Sequence, residues 1–164
     1  MAITELSMVD KAKDLAMDTH IGQTRKVSNK PYYLHPFRVF QRSKAMKYNK
    51  DIQLICLLHD VMEDSKNKKY TEDKIKSTFG NTIFKFIKLL SHDKAVDYNR
   101  YVLEIAKRSK TALVVKLIDM IENLLDNPSN KQIIKYTTAI KYLIDNKINI
   151  DNKLLNMFKK FKID

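Results

Sequence analysis

Glycine occurs only twice in this chain, at Gly22 and Gly80, and proline only three times. Long stretches therefore lack the residues that break helices and shape tight turns. Apolar residues recur at helical spacing nearly everywhere, so the chain reads as all-α, a bundle of about eight or nine helices. A first helix is expected over Thr4 to His20, with Gly22 as its stop. An irregular polar segment follows from Gln23 to Tyr33. A second helix begins near His35, with Pro36 in its first turn, and runs to about Lys47. Asn49 caps a third helix that continues through Asp64. Thr71, followed by Glu72 and Asp73, marks a capped fourth helix ending at Gly80. Further helices are expected at about 81–90, 96–108, 110–126, 129–146 and 151–161. There is no internal repeat, low-complexity segment or linker, so residues 1–164 form one domain.

The size suffices for a core without disulfide staples. Cys56 is the only cysteine, which excludes an internal disulfide and makes a reducing, cytoplasmic setting the default. No run of about 18 apolar residues exists to span a membrane, and "MAITELSMVDKAKD" is too charged for a signal peptide. Thirty-one Lys and Arg against nineteen Asp and Glu leave a net charge of +12. Such a field favours anionic partners, nucleotides or nucleic acid, although a general bias toward Lys, Asn and Ile accounts for it more simply. In the last stretch, "NKLLNMFKKFKID", basic and aromatic residues alternate. Leu154, Leu155, Met157, Phe158 and Phe161 read as the face by which a terminal helix docks on the core. A membrane or nucleic-acid surface is the less favoured reading.

One segment departs from the apolar pattern. "LLHDVMED" places His59, Asp60, Glu63 and Asp64 on one side of the third helix, opposite Leu54, Ile55, Leu57, Leu58, Val61 and Met62. Imidazole and carboxylate both bind divalent ions, and carboxylates one turn on could orient or deprotonate a bound water. A solvated face with a local His59–acid pair is the alternative, because one helix supplies too few ligands. His35 in "PYYLHPF" and Asp119 in "VVKLIDMIENLL" are further candidates. Lys116, Asp119 and Asn123 share a stripe that would otherwise be an ordinary exposed one with a Lys116–Asp119 pair. His20 and His92 read as cap or surface residues, and Cys56 as buried rather than nucleophilic. No Cys-His or Ser-His-Asp arrangement is legible, and two glycines so far apart cannot build a phosphate loop.

Taken in order, His35, His59-Asp60 and Asp119 follow the H…HD…D pattern of HD-domain metal phosphohydrolases. "HIGQTRKVSNKPYYLHP" resembles the opening signature of the alarmone hydrolase domain of RelA/SpoT proteins and stand-alone SpoT-like hydrolases. "LLHDVMED" matches that family's His-Asp followed by Glu-Asp. "VKLIDMIENL" is similar to its Lys-Leu-Ala-Asp segment with a later Asn, and "SHDKAVDYNRYVLEIAK" to its connecting segment. The similarity covers roughly Ala12 to Leu125, with the helices at about 129–161 packed on that core.

The resemblance implies an HD helical bundle holding one divalent ion, Mn²⁺ by family, on His35, His59, Asp60 and Asp119. It implies that Glu63 and Asp64 handle the attacking water, and that Arg25 and Lys26 line a nucleotide pocket. Asn123 would bond the sugar or a metal-site carboxylate, and Lys94 could reach phosphate if its loop folds over the site. The implied reaction removes the 3′-pyrophosphate of guanosine tetra- or pentaphosphate to give GDP or GTP. The chain leaves no room for a synthetase domain, so a hydrolase alone is expected. Met120 stands where the family commonly has a basic residue, and Ile118 where it has Ala. Both are expected in the site wall, which leaves open another nucleotide, such as NADPH or a (deoxy)nucleoside triphosphate. A non-catalytic nucleic-acid-binding HD module is a weaker alternative, and nothing in the motifs sets an oligomeric state.

Overall fold

The structure, a computed structural model, describes residues 7–26 and 28–161. Among these there are nine α-helices and no strand beyond one isolated bridge between Thr24 and Pro31. The helices are α1 (Met8–Thr19), α2 (Leu34–Ala45), α3 (Lys50–Leu58), α4 (Val61–Asp64), α5 (Lys68–Leu90), α6 (Tyr98–Arg108), α7 (Lys110–Leu125), α8 (Asn130–Asp145) and α9 (Asn152–Phe158), with a 3₁₀ turn at Lys159–Phe161. The all-α expectation holds. The expected beginning of the first helix, at Thr4, lies outside the described residues; α1 itself starts at Met8, with Ser7 accepting the Asp10 N–H as its cap.

The centre of the molecule is α7. Its residues from Leu117 to Leu124 are all buried, and it packs against α2, α3, α5, α6, α8 and α9. A helix that is apolar nearly all round belongs inside a bundle rather than on its surface. Ser109 starts it by accepting the Ala112 N–H, so the chain turns directly from α6 into this central position. Ile118 and Met120 are fully buried in the core. This corrects their expected place: neither presents a surface to a site wall.

Two other expectations need correction. The third helix does not run unbroken to Asp64. It loosens at His59 and Asp60, where Asp60 has φ −98° and ψ −9°, and resumes as α4. The Asp64 N–H still reaches the Asp60 carbonyl at 3.0 Å, so the two carboxylates remain one turn apart. The next helix is capped by Asn67, whose side chain accepts the Tyr70 N–H at 3.0 Å. Thr71, expected as the cap, is buried inside α5 and shares a hydrogen bond with Ser65 Oγ at 2.5 Å. Gly80 does interrupt the helical backbone, with φ +85°. With ψ 166° it is non-helical, so α5 is two helical segments meeting at a kink there, and the expected stop at Gly80 and restart at about 81 hold. Side chains disfavour that conformation.

The terminal segment docks as expected. Leu154 and Phe158 are buried, with Leu155, Met157 and Phe161 packed at the edge of the core. Among the described residues, no helix is long and apolar enough to cross a membrane.

Candidate metal centre

Three elements bring the ligand candidates together. The segment between α1 and α2 is folded back on itself. Arg25 N–H donates to the Lys30 carbonyl at 2.8 Å and Tyr32 N–H to the Gln23 carbonyl at 2.9 Å. This return delivers His35 into the first turn of α2, where Pro36 forfeits no helical hydrogen bond. His59 follows the buried run Leu54–Leu58 of α3, so the ring enters the interior where the helix loosens. Asp119 projects from the middle of α7 and is only 5% exposed.

His35, His59 and Asp119 each offer a ligand atom, and these atoms all lie within 4.8 Å of one another. His35 Nε2 is 2.9 Å from Asp119 Oδ1, and His59 Nε2 is 3.6 Å from the same oxygen. Asp60 stands beside this set. Its Oδ2 lies 3.1 Å from His59 Nε2 and accepts the Tyr32 hydroxyl at 2.8 Å.

The chemistry of His59 tests whether an ion fits. Its Nδ1 faces the Cys56 carbonyl at 2.8 Å, and a carbonyl only accepts, so Nδ1 carries the proton. Nε2 is then left buried with no hydrogen-bond partner among the described residues while two carboxylate oxygens approach it. Either a second proton or a cation must occupy that space. Burial alone lowers the His59 pKa, but Asp60 and Asp119 outweigh it and hold it well above the usual value. His35 Nδ1 is likewise buried without a hydrogen-bond partner among the described residues, and burial lowers its pKa. Two imidazoles with one or two carboxylates form a donor set suited to a divalent transition-metal ion.

Asp119 is the best-restrained group in the site. Lys116 Nζ donates to Oδ2 at 2.9 Å, and the Asn123 amide donates to Oδ1 at 2.6 Å. Burial would raise the Asp119 pKa, but Lys116, His35 and His59 keep it well below the carboxylate range. The Lys116–Asp119 pair was legible as a spacing; its burial was not. Lys116 also lies over Tyr98 and Tyr101, 5.7 and 5.4 Å from the ring centres.

The remaining candidates divide. Asp64 is half-buried, and burial together with Asp60 and Glu63 pushes its carboxyl up to about 6. Glu63 is exposed and accepts the His92 N–H at 3.2 Å. Arg25 is mostly buried, donating from Nε to Asp126 at 3.2 Å and from its terminal nitrogen to Asn123 Oδ1 at 2.7 Å. Lys26 and Lys94 are exposed. The Cys56 thiol is fully buried, and burial pushes its pKa up to about 12, which leaves it inert.

His20 corrects one expectation. It does cap α1, but it is fully buried rather than superficial. Its Nδ1 lies 3.1 Å from Gln23 Oε1 and 3.6 Å from Asp64 Oδ2, and its ring packs on Tyr32 at 4.7 Å. Tyr32 and His20 thus join the site although neither was singled out for it. The available signal was their position at the two ends of the segment that folds back before His35.

No family model matches the chain. A probable guanosine-3′,5′-bis(diphosphate) 3′-pyrophosphohydrolase of Mycoplasma pneumoniae is 30% identical over 137 residues, covering 73% of this chain and 18% of that protein. The guanosine-3′,5′-bis(diphosphate) 3′-pyrophosphohydrolase of Haemophilus influenzae is 26% identical, over 84% of this chain and 22% of its own length. The chain thus spans less than a quarter of the length of these curated relatives. A solved structure, described as a metazoan ortholog of SpoT that hydrolyses ppGpp and plays a role in starvation responses, superposes with a TM-score of 0.78. That match has 23% identity and covers 98% of this chain and 96% of the other. The resemblance to RelA/SpoT-type hydrolase domains carried by the motifs is therefore borne out in sequence, and the helical architecture is that of the metazoan ortholog.

Proposed function

We propose that this chain is a metal-dependent phosphohydrolase that removes the 3′-pyrophosphate of guanosine tetra- or pentaphosphate, yielding GDP or GTP. The observation that carries the reading is the buried His35–His59–Asp119 cluster, in which His59 Nε2 faces carboxylates with no donor of its own. The printed activities of the relatives supply the substrate class. His35, His59, Asp60 and Asp119 would hold the ion, with Mn²⁺ the proposed metal and the cytoplasm the proposed setting.

When bound, such an ion polarises a phosphate oxygen and acidifies a water. Water adds to the phosphorus joined to the 3′ oxygen, the P–O bond breaks, and pyrophosphate leaves a 3′ hydroxyl on the sugar. Asp64 takes the water proton and returns it to the departing 3′ oxygen, its raised pKa matching a group that works near neutrality. Glu63 completes the hydrogen-bond network around that water. Lys26 meets phosphate as a point charge, and Arg25 and Asn123 form the floor of the nucleotide pocket. Nucleic acid is not the favoured partner, since the site's buried ligands have no use in a basic surface that binds backbone phosphates.

The test is a substrate panel with product identification. Guanosine tetraphosphate should yield GDP and pyrophosphate in equal amounts. Triphosphate from a deoxynucleoside triphosphate, or inorganic phosphate from NADPH, with guanosine tetraphosphate left intact, would replace this assignment.

A further inference from the structure

Arg25 is committed to the protein rather than to open solvent, and its partners lead to a metal-ligand candidate. Its loop is fixed by backbone hydrogen bonds, including Asn29 N–H to the Arg25 carbonyl at 2.9 Å. The guanidinium is then held at two points: Nε on Asp126, and the terminal nitrogen on Asn123 Oδ1. Asp126 is itself gripped by Arg38 at 2.8 Å. The side chain of Arg25 is only 12% exposed.

The consequence falls on Asn123. An amide presents an acceptor at one end and a donor at the other, and its partners decide which way round it sits. With Oδ1 occupied by the guanidinium, Nδ2 must face the other way, where it donates to Asp119 Oδ1 at 2.6 Å and to the Asp119 carbonyl at 3.0 Å. Turned over, the amide would set its oxygen against a carboxylate. Lys116 holds the second carboxylate oxygen, so both atoms of Asp119 are oriented by donors from α7, and one of those donors is oriented by Arg25.

We infer that Arg25 is a positioning residue for the metal centre: through Asn123 it fixes the orientation of Asp119, beyond any contact it makes with nucleotide. The inference rests on the metal reading of His35, His59 and Asp119. Groups that orient a ligating side chain set metal affinity as well as activity.

The test is titration of the purified chain with Mn²⁺ alone, followed by calorimetry or by the electron paramagnetic resonance of the free ion. Removing the partner of a ligand typically weakens metal binding about 10- to 100-fold. Asn123→Ala should fall in that range, and Arg25→Ala at about its lower end. Because Arg25 acts only through Asn123, the double variant should bind no more weakly than Asn123→Ala within about twofold, the scatter of such comparisons. Arg25→Lys, which keeps one donor, should recover part of the loss. It also serves as the test if Arg25→Ala fails to fold.

Arg25→Ala or Arg25→Lys binding Mn²⁺ as the wild type does, with a raised KM for nucleotide, would overturn the inference and leave Arg25 a substrate contact. Losses that multiply in the double variant would overturn it too. A wild-type chain that binds no divalent ion would remove the metal reading and this inference together. A chain that binds Mn²⁺ yet leaves guanosine tetraphosphate intact would defeat only the proposed substrate, and the titrations would still decide the role of Arg25.

Discussion

Two lysine–aspartate pairs in this molecule have the same length and opposite consequences. Lys69 and Asp73, one turn apart on the first half of α5, meet at 2.9 Å with side chains 78% and 58% exposed. Lys116 and Asp119 on α7 also meet at 2.9 Å, with side chains 13% and 7% exposed. Water and salt screen the first pair, so its net worth is small. In the second, each charge has lost its hydration and depends on its partner, and the aspartate also faces two imidazoles. Distance alone does not distinguish the pairs. Burial turns one of them into part of a charged centre whose composition invites a cation.

The hardest test of that contrast is to remove a charge from the centre itself. Asp60→Ala should abolish turnover while far-ultraviolet circular dichroism stays close to the wild type, because Asp60 lies at a loosened turn rather than inside a helix. Substantial remaining activity would break the metal assignment. Next in size, Lys116→Ala leaves Asp119 without its nearest cation. Breaking a buried pair from one side should lower the unfolding free energy by about 3 kcal/mol, measured by urea denaturation of the metal-free protein at neutral pH. No loss there would mean that solvent reaches the pair and that the two regions do not differ.

A smaller effect separates the centre from the surface by pH. The Asp64 carboxyl is held at about 6 in the folded chain, against about 4 when unfolded. The folded state therefore binds this proton more tightly, so stability falls as pH rises through that interval, and the penalty is complete above it. In the metal-free protein, Asp64→Asn should raise the melting temperature at neutral pH and leave it unchanged at acid pH, below both values. Equal effects at both pH values would place Asp64 in water. The smallest expected effect belongs to the exposed pair: Lys69→Ala should leave melting and turnover indistinguishable from wild type.

What could be read from the residues, and what could not, follows the same divide between local and distant interactions. Helical periodicity and caps act over a few positions, so the all-α bundle, the Asn49 cap and the docking face of Leu154 and Phe158 were legible. The choice of Asn67 over Thr71 as a cap was not, because either could accept the required N–H. Placing Thr71 inside depended on Ser65 and the helices around it. The ligand candidates His35, His59 and Asp119 were legible through the family resemblance, whereas their convergence depends on contacts between distant parts of the chain. Projection on an unbroken helix hid the loosened turn at His59 and Asp60.

Burial was the least legible property. His20 looks like a helix end until the segment after it folds back, and its nearest carboxylate, Asp64, belongs to another helix. Ile118 and Met120 alternate with Asp119 along α7, yet every side of that helix is covered. Their departure from the family pattern therefore changes the core rather than a wall that a nucleotide would touch.

The central claim is that the buried cluster of α2, α3 and α7 is a hydrolytic metal site. Its most direct test is pyrophosphate release from guanosine tetraphosphate by the purified chain, with Mn²⁺ and with excess chelator. The account predicts release of one pyrophosphate per GDP formed with the ion, and none with chelator. Equal release under both conditions, or none under either while Mn²⁺ is demonstrably bound, would contradict it.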